Sequence, residues 1–152
     1  MPVLATNRKA HYLYQILKKY EAGIQLEGWE VKSIRQRRIS IKDSYVKLVG
    51  KELYLINAHI AAYQKTREES VKTRRSRKLL VKKNTILYLK GELARKGLTI
   101  APLTVYTKRS LIKLEIALVK GKKGFEKRRK ERKDSIRRQA EIDVKEALTP
   151  AS

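Results

Sequence analysis

The chain has no cysteine, which excludes a disulfide framework and a thiolate metal site and fits a reducing compartment. Its three prolines and seven glycines form no Pro-rich or Gly/Ser-rich linker. No apolar stretch approaches the ~18 residues of a spanning helix, and Met1-Pro2-Val3-Leu4 lacks the apolar core of a signal peptide. Phenylalanine and tryptophan occur once each, against eight tyrosines. Acidic side chains are scarce: 15 Asp and Glu face 38 Lys and Arg, a net charge of +23. Self-repulsion of that size is costly to a compact state unless a polyanion screens it. What remains is a soluble, cytosolic chain that binds a polyanion, either nucleic acid or an anionic membrane surface.

What is present falls into two parts, residues 1–119 and 120–152. Leu111 to Val119 alternates as a strand, with Ile112, Leu114, Ile116 and Leu118 on one face. From Lys120 to Lys133 there are nine basic and two acidic residues around a single aromatic, Phe125. That segment buries too little apolar surface to offset its ordering entropy and is expected to be disordered until a partner orders it. Beyond it, Ile136, Ala140, Val144, Ala147 and Leu148 recur at helical spacing, an amphipathic helix too short and charged to be stable alone.

In the first part, Tyr20, Ala22, Ile24 and Leu26 mark a half-buried strand reaching back towards His11. Trp29 to Arg37 reads as a short helix after the break at Gly28. Ser44–Val49 and Leu53–Ile60 flank Gly50-Lys51, a pair suited to a tight hairpin. Leu98–Tyr106 and Leu111–Val119 form a second pair, with Pro102 predicting a bulge or edge. Leu79, Leu80, Ile86, Leu87, Leu93 and Ala94 are apolar doublets at helical spacing; Ser76 caps that helix, or Asn84 does if Lys78 to Val81 is extended. The expected fold is mainly β: a small closed antiparallel barrel of about five strands with two to three flanking helices and a basic tail.

Catalytic chemistry finds little support. His11 and His59 are 48 residues apart in sequence, and both are expected in strands as packing residues. There is no nucleophile elbow and no phosphate-cradling glycine loop. The adjacent Glu68 and Glu69 sit in a basic loop and balance charge. No cofactor and no metal are expected. The positive signal is basic: Lys65 to Lys83 holds nine basic and two acidic residues, including Arg74-Arg75-Ser76-Arg77-Lys78. A surface serving solubility alone intersperses both signs, so this run reads as phosphate-tracking. Most tyrosines read as packing with hydroxyls at the rim, and one or two are available to stack on unpaired bases.

Asn7-Arg8-Lys9-Ala10, Tyr20-Glu21-Ala22-Gly23, Gly28-Trp29-Glu30-Val31-Lys32-Ser33-Ile34-Arg35, Asp43-Ser44-Tyr45, Arg77-Lys78-Leu79-Leu80 and Lys120-Gly121-Lys122-Lys123 together, in this order and spacing, resemble the SmpB family. These are the SsrA-binding (transfer-messenger-RNA-binding) proteins of bacterial trans-translation. The likeness runs from about Asn7 to Arg128. It implies an oligonucleotide-binding-like (OB-like) barrel that holds the tRNA-like domain of transfer-messenger RNA. It also implies a tail that enters the decoding site and empty mRNA channel of a stalled ribosome and folds there as a helix. Elongation factor Tu is implied as an indirect partner through the charged RNA.

By the same resemblance Glu21 is an RNA-binding position, accepting from base amines or 2′-hydroxyls, and Gly121 supplies a turn at the barrel–tail junction. Phosphate contacts are expected from Lys32, Arg35, Arg74, Arg75, Arg77 and Lys78. Ribosome contacts are expected from Gly121, Lys122, Lys123, Phe125, Lys127, Arg128 and Ile136. The chain departs from the family at Phe125-Glu126, where His-Asp is usual; Phe125 retains a stacking ring without a titrating nitrogen. It also departs in Ala62 to Lys72, where added charge replaces the usual Pro and Asn. Two other readings fit the basic composition: a ribosomal protein whose tail threads rRNA, and a tRNA-modifying enzyme, which needs a cofactor site.

Overall fold

The expected barrel closes, with four short strands beyond those that alternation reveals and with its last two strands longer than expected. The computed structural model describes residues 2–63, 72–95 and 97–121. Lys122, Lys123, Phe125, Lys127, Arg128 and Ile136, with the helical pattern that follows, lie outside the described residues. In chain order the elements are β1 (Val3–Thr6), α1 (Arg8–Leu13), β2 (Tyr14–Ile24), α2 (Gly28–Arg35), β3 (Ile39–Ser40), β4 (Tyr45–Val49), β5 (Glu52–Ile56), β6 (His59–Ile60), β7 (Arg77–Leu80), α3 (Lys83–Leu93), β8 (Leu98–Lys108) and β9 (Leu111–Gly121).

Six strands form the ring. β8 pairs antiparallel with β4, and β4, β5, β7, β2 and β9 follow in order until β9 returns to β8. β1 adds to β8, and β3 with β6 makes a separate two-stranded ribbon. The inward residues are those that alternation predicts: Ile112, Leu114, Ile116 and Leu118 meet Ala22, Leu53, Leu55, Leu79, Ile100 and Val105 in one apolar cluster. Ile34 of α2 and Leu89 of α3 are fully buried and join it. Each such side chain contributes about 1.5–3 kcal/mol of burial.

Two hairpins set the register. Gly50 takes φ +62° at the first position of the two-residue loop between Val49 and Glu52, as a Gly-X hairpin turn requires. Between β8 and β9, Arg109 and Ser110 both have positive φ (51° and 66°) without being glycine. The β8–β9 ladder shifts between Pro102 and Thr104, the bulge expected of a proline inside a strand.

Three expectations change. His11 lies in α1, not in a strand. Asn7 creates that helix: its Oδ1 accepts from Ala10 N–H at 3.1 Å while its Nδ2 donates to the Pro102 carbonyl at 2.9 Å. Ala10 then covers Ala101, Leu103, Ala117 and Val119, so the end of β9 is buried on both faces. Of the two alternatives for Lys78 to Val81 the extended one holds, so the doublet Leu79-Leu80 belongs to strand β7, but α3 begins at Lys83 with Lys82, not Asn84 or Ser76, at its N-cap. Finally, Lys120 and Gly121 continue β9 opposite Gln15 and Tyr14; Gly121 is in the ladder and not in a turn.

Candidate nucleic-acid interface

The register of β7, β2, β9, β8 and β1 lays two rows of side chains across the outside of the barrel. One row runs Glu21, Glu115, Thr104, Thr6; the next, two residues along β2, β9 and β8 and three along β1 across its bulge, runs Leu80, Gly23, Lys113, Tyr106, Val3. Between them Ala22, Leu114 and Val105 point inward and are buried, as a period of two demands. Glu21 therefore faces solvent at the centre of a mixed polar surface. Tyr106 reaches across to donate its hydroxyl to Glu21 Oε2, and Lys108 Nζ lies 3.4 Å from the same oxygen. The tyrosine hydrogen bond, then the lysines, hold the Glu21 carboxyl below the usual range. Burial and the adjacent carboxylate push the Tyr106 hydroxyl well up, so it remains a donor. Lys19 sits 4.0 Å from Glu115 Oε1. Leu80 is exposed beside Gly23, where an added Cβ would come within 3.2 Å of Leu80 Cβ.

The Arg74 to Lys78 cluster turns out to be largely committed to carboxylates of the fold, with Arg77 fully buried. Glu30 is fully buried one helical turn before Ile34, on the face of α2 that enters the core. Its Oε2 accepts from Arg77 Nε at 2.5 Å and Arg75 Nε at 3.2 Å; its Oε1 accepts from Arg75 Nη2 at 2.5 Å and Glu27 N–H at 2.8 Å. Arg77 spends its other nitrogens on the carbonyls of Ala58 (2.8 Å) and Thr73 (3.0 Å). With a fully buried guanidinium, Arg77 has no phosphate-facing surface, and its expected RNA contact is withdrawn. A buried carboxylate needs paired donors, and strand alternation in β7 turns Arg77 inward to supply them. Arg75 is 27% exposed and pairs with Glu30 and, at 3.9 Å, with Glu27. Lys78 pairs with Glu52 at 2.7 Å. Arg74 is exposed and donates to the Asn57 carbonyl and Oδ1, both at 3.3 Å.

On α2, Lys32 is exposed with its ammonium 5.3 Å from the centre of the Tyr63 ring. Arg35 is exposed and donates to the Ser110 carbonyl at 3.0 Å, tying the helix end to the β8–β9 turn. Each uses only part of its donor capacity, since a guanidinium carries five N–H donors and an ammonium three. Glu21 and the pair Lys32 and Arg35 thus sit on different elements that the fold links through the β8–β9 hairpin. Tyr106, Lys108, Lys113, Glu115 and Glu30 are not among the site residues expected from the sequence. For Glu30 a signal existed, a carboxylate four residues before Ile34 on an apolar face; for the others only the ladder register reveals the grouping. Among the described residues no three His, Cys, Asp or Glu side chains gather as a metal site.

Comparison with known proteins adds the decisive observation. The family model described as "SmpB protein" matches residues 4–146. The chain belongs to the SmpB family. It is 44% identical over 146 residues to an SsrA-binding protein of Carboxydothermus hydrogenoformans, covering 96% of this chain and 95% of that one. An SsrA-binding protein of a Sulfurihydrogenibium species is 46% identical over 143 residues, 94% of each chain. Among solved structures, a chain reported under "tmRNA-SmpB: a journey to the center of the bacterial ribosome" superposes with a TM-score of 0.67. That chain is 44% identical, and the likeness covers 91% of this protein and 96% of it.

Proposed function

We propose that this SmpB-family protein is an RNA-binding factor of trans-translation, not an enzyme. It holds the tRNA-like domain of transfer-messenger RNA and enables rescue of stalled ribosomes and tagging of the nascent peptide. The observation that carries this reading is the match to SsrA-binding proteins along 94–96% of the chain, which spans barrel and tail together. The geometry supports it. A rigid ring presents exposed Lys32, Arg35 and Arg74 for phosphates, while Glu21 on the outer face accepts from base amines or 2′-hydroxyls. Arg75 and Lys78 are partly neutralised by their ion pairs with Glu30 and Glu52 and offer phosphates only their remaining N–H donors. Gly121 leads from the barrel to Lys122, Lys123, Phe125, Lys127, Arg128 and Ile136, which occupy the decoding site and empty mRNA channel. Elongation factor Tu joins through the charged RNA, and the work is cytoplasmic. No cofactor takes part, because the RNA supplies alanine and the reading frame.

Titrating a labelled tRNA-like domain with the full-length protein at several salt concentrations tests this. Neutralising about six to eight phosphates predicts an affinity loss of roughly 10³-fold or more between ~50 and ~200 mM salt. An affinity nearly independent of salt overturns the phosphate-holding surface.

A further inference from the structure

On a protein of net charge +23, the outer face holds a paired-carboxylate place suited to hydrogen-bond donors instead of phosphates. Glu21 and Glu115 are direct cross-strand partners in the β2–β9 ladder, and Thr104 is the next residue of the same row on β8. They line a cleft of about 450 Å³ together with Lys19, Tyr20 and Tyr106. That volume is within the ~300–1,000 Å³ of small-ligand clefts. Like charges directly opposite in a ladder destabilise it, and cations and a phenol surround this pair. Tyr106 and Lys108 both engage Oε2 of Glu21, so they fix the carboxylate through one oxygen. Oε1 is left for another donor. Glu115 is touched by Lys19 at only 4.0 Å, on its Oε1.

We propose that this cleft takes the Watson–Crick edge of an unpaired guanine of the bound RNA, with Glu115 and Glu21 as acceptors and Tyr106 as the residue that positions Glu21. The inference rests on the RNA-binding reading above. Guanine alone among the four bases presents an imino and an amino donor side by side. Adenine and cytosine place a ring acceptor beside the amine, and uracil sets two carbonyls beside its imino donor, so carboxylates repel part of each of those edges. The Tyr106 ring gives the cleft an apolar wall for the base plane. Lys19 and Lys108 at its rim meet the flanking phosphates. Removing one carboxylate leaves a purine donor unpaired in the cleft, which is how hydrogen-bonding sites discriminate.

Interference mapping tests the assignment. A pool of the tRNA-like domain carrying sparse inosine in place of guanosine, which deletes only the 2-amino group, is selected for binding by the full-length wild type, Glu115→Gln and Tyr106→Phe. The expected result is a discrete inosine position depleted several-fold from the RNA bound by the wild type, with that depletion lost in Glu115→Gln and weakened in Tyr106→Phe. A merely structural role for either residue lowers affinity for every RNA in the pool equally. Identical interference patterns for all three proteins overturn the cleft assignment while leaving the RNA-binding reading standing. Failure of the wild type to bind the unsubstituted domain overturns that reading and the cleft with it.

Discussion

At the scale of single residues, Glu30 has the largest expected effect on stability. Its carboxylate is wholly buried and accepts from two arginines and a backbone N–H. Removing one partner of a buried pair leaves an uncompensated charge, at about 3–5 kcal/mol. Glu30→Ala is therefore expected to lower the urea midpoint severely, with the slope unchanged if unfolding remains two-state. Arg75→Ala is expected to cost under half as much. Its side chain is 27% exposed, so solvent screens its ion pair, and Arg77 still satisfies the carboxylate. Equal losses in the two variants would show that Arg75, not Arg77, is the main counter-charge. The same network explains why a run of five residues with four basic side chains leaves mainly Arg74 open to solvent.

At the scale of elements, the β8–β9 hairpin carries backbone strain at its turn. Its turn places Arg109 at φ 51° and Ser110 at φ 66°, a mirror-image turn that favours Asn-Gly. Arg35 holds it from α2 through the Ser110 carbonyl. Replacing Arg109→Asn and Ser110→Gly together removes left-handed strain from two residues and is expected to stabilise the protein by about 1 kcal/mol, a rise of a few degrees in melting temperature. A fall in melting temperature would mean that the native side chains make compensating contacts of greater worth. The hairpin matters to function because it connects α2, with Lys32 and Arg35, to the strands carrying Tyr106 and Glu115. An isolated loss at the turn should therefore weaken both halves of the interface.

For the whole molecule, the location of the charge decides how barrel and tail divide their work. The described residues hold 24 Lys and Arg against seven Asp and Glu, so +17 of the total +23 lies there and not beyond Gly121. Charge-driven RNA holding is thus expected of the barrel. Ending the chain after Gly121 should leave affinity for the tRNA-like domain within a few-fold, and should reduce the salt slope by about one ion or less. The same truncation should abolish alanine tagging in a reconstituted stalled-translation assay. Loss of RNA binding along with tagging would show that the two parts do not act as separate modules.

Much of this was written locally in the chain. Alternation in Leu111 to Val119, the Gly50 hairpin and the Pro102 bulge are legible because their causes act over a few residues: side-chain period, a positive φ, a missing N–H. The helix α1 was not, since its cap Asn7 is held by the Pro102 carbonyl, 95 residues away. The strand β7 was legible only as one of two alternatives, since its four residues are too short to show a period and its doublets imitate a helix. The sequence by itself determined a mainly β, strongly basic chain with a change of character near Lys120. Only the tertiary structure decided that Arg77 is buried against Glu30, 47 residues away, and that Glu21 stands opposite Glu115. Both follow from ladder register and from the cost of burying charge, which depend on which strands become neighbours, and no local pattern encodes that.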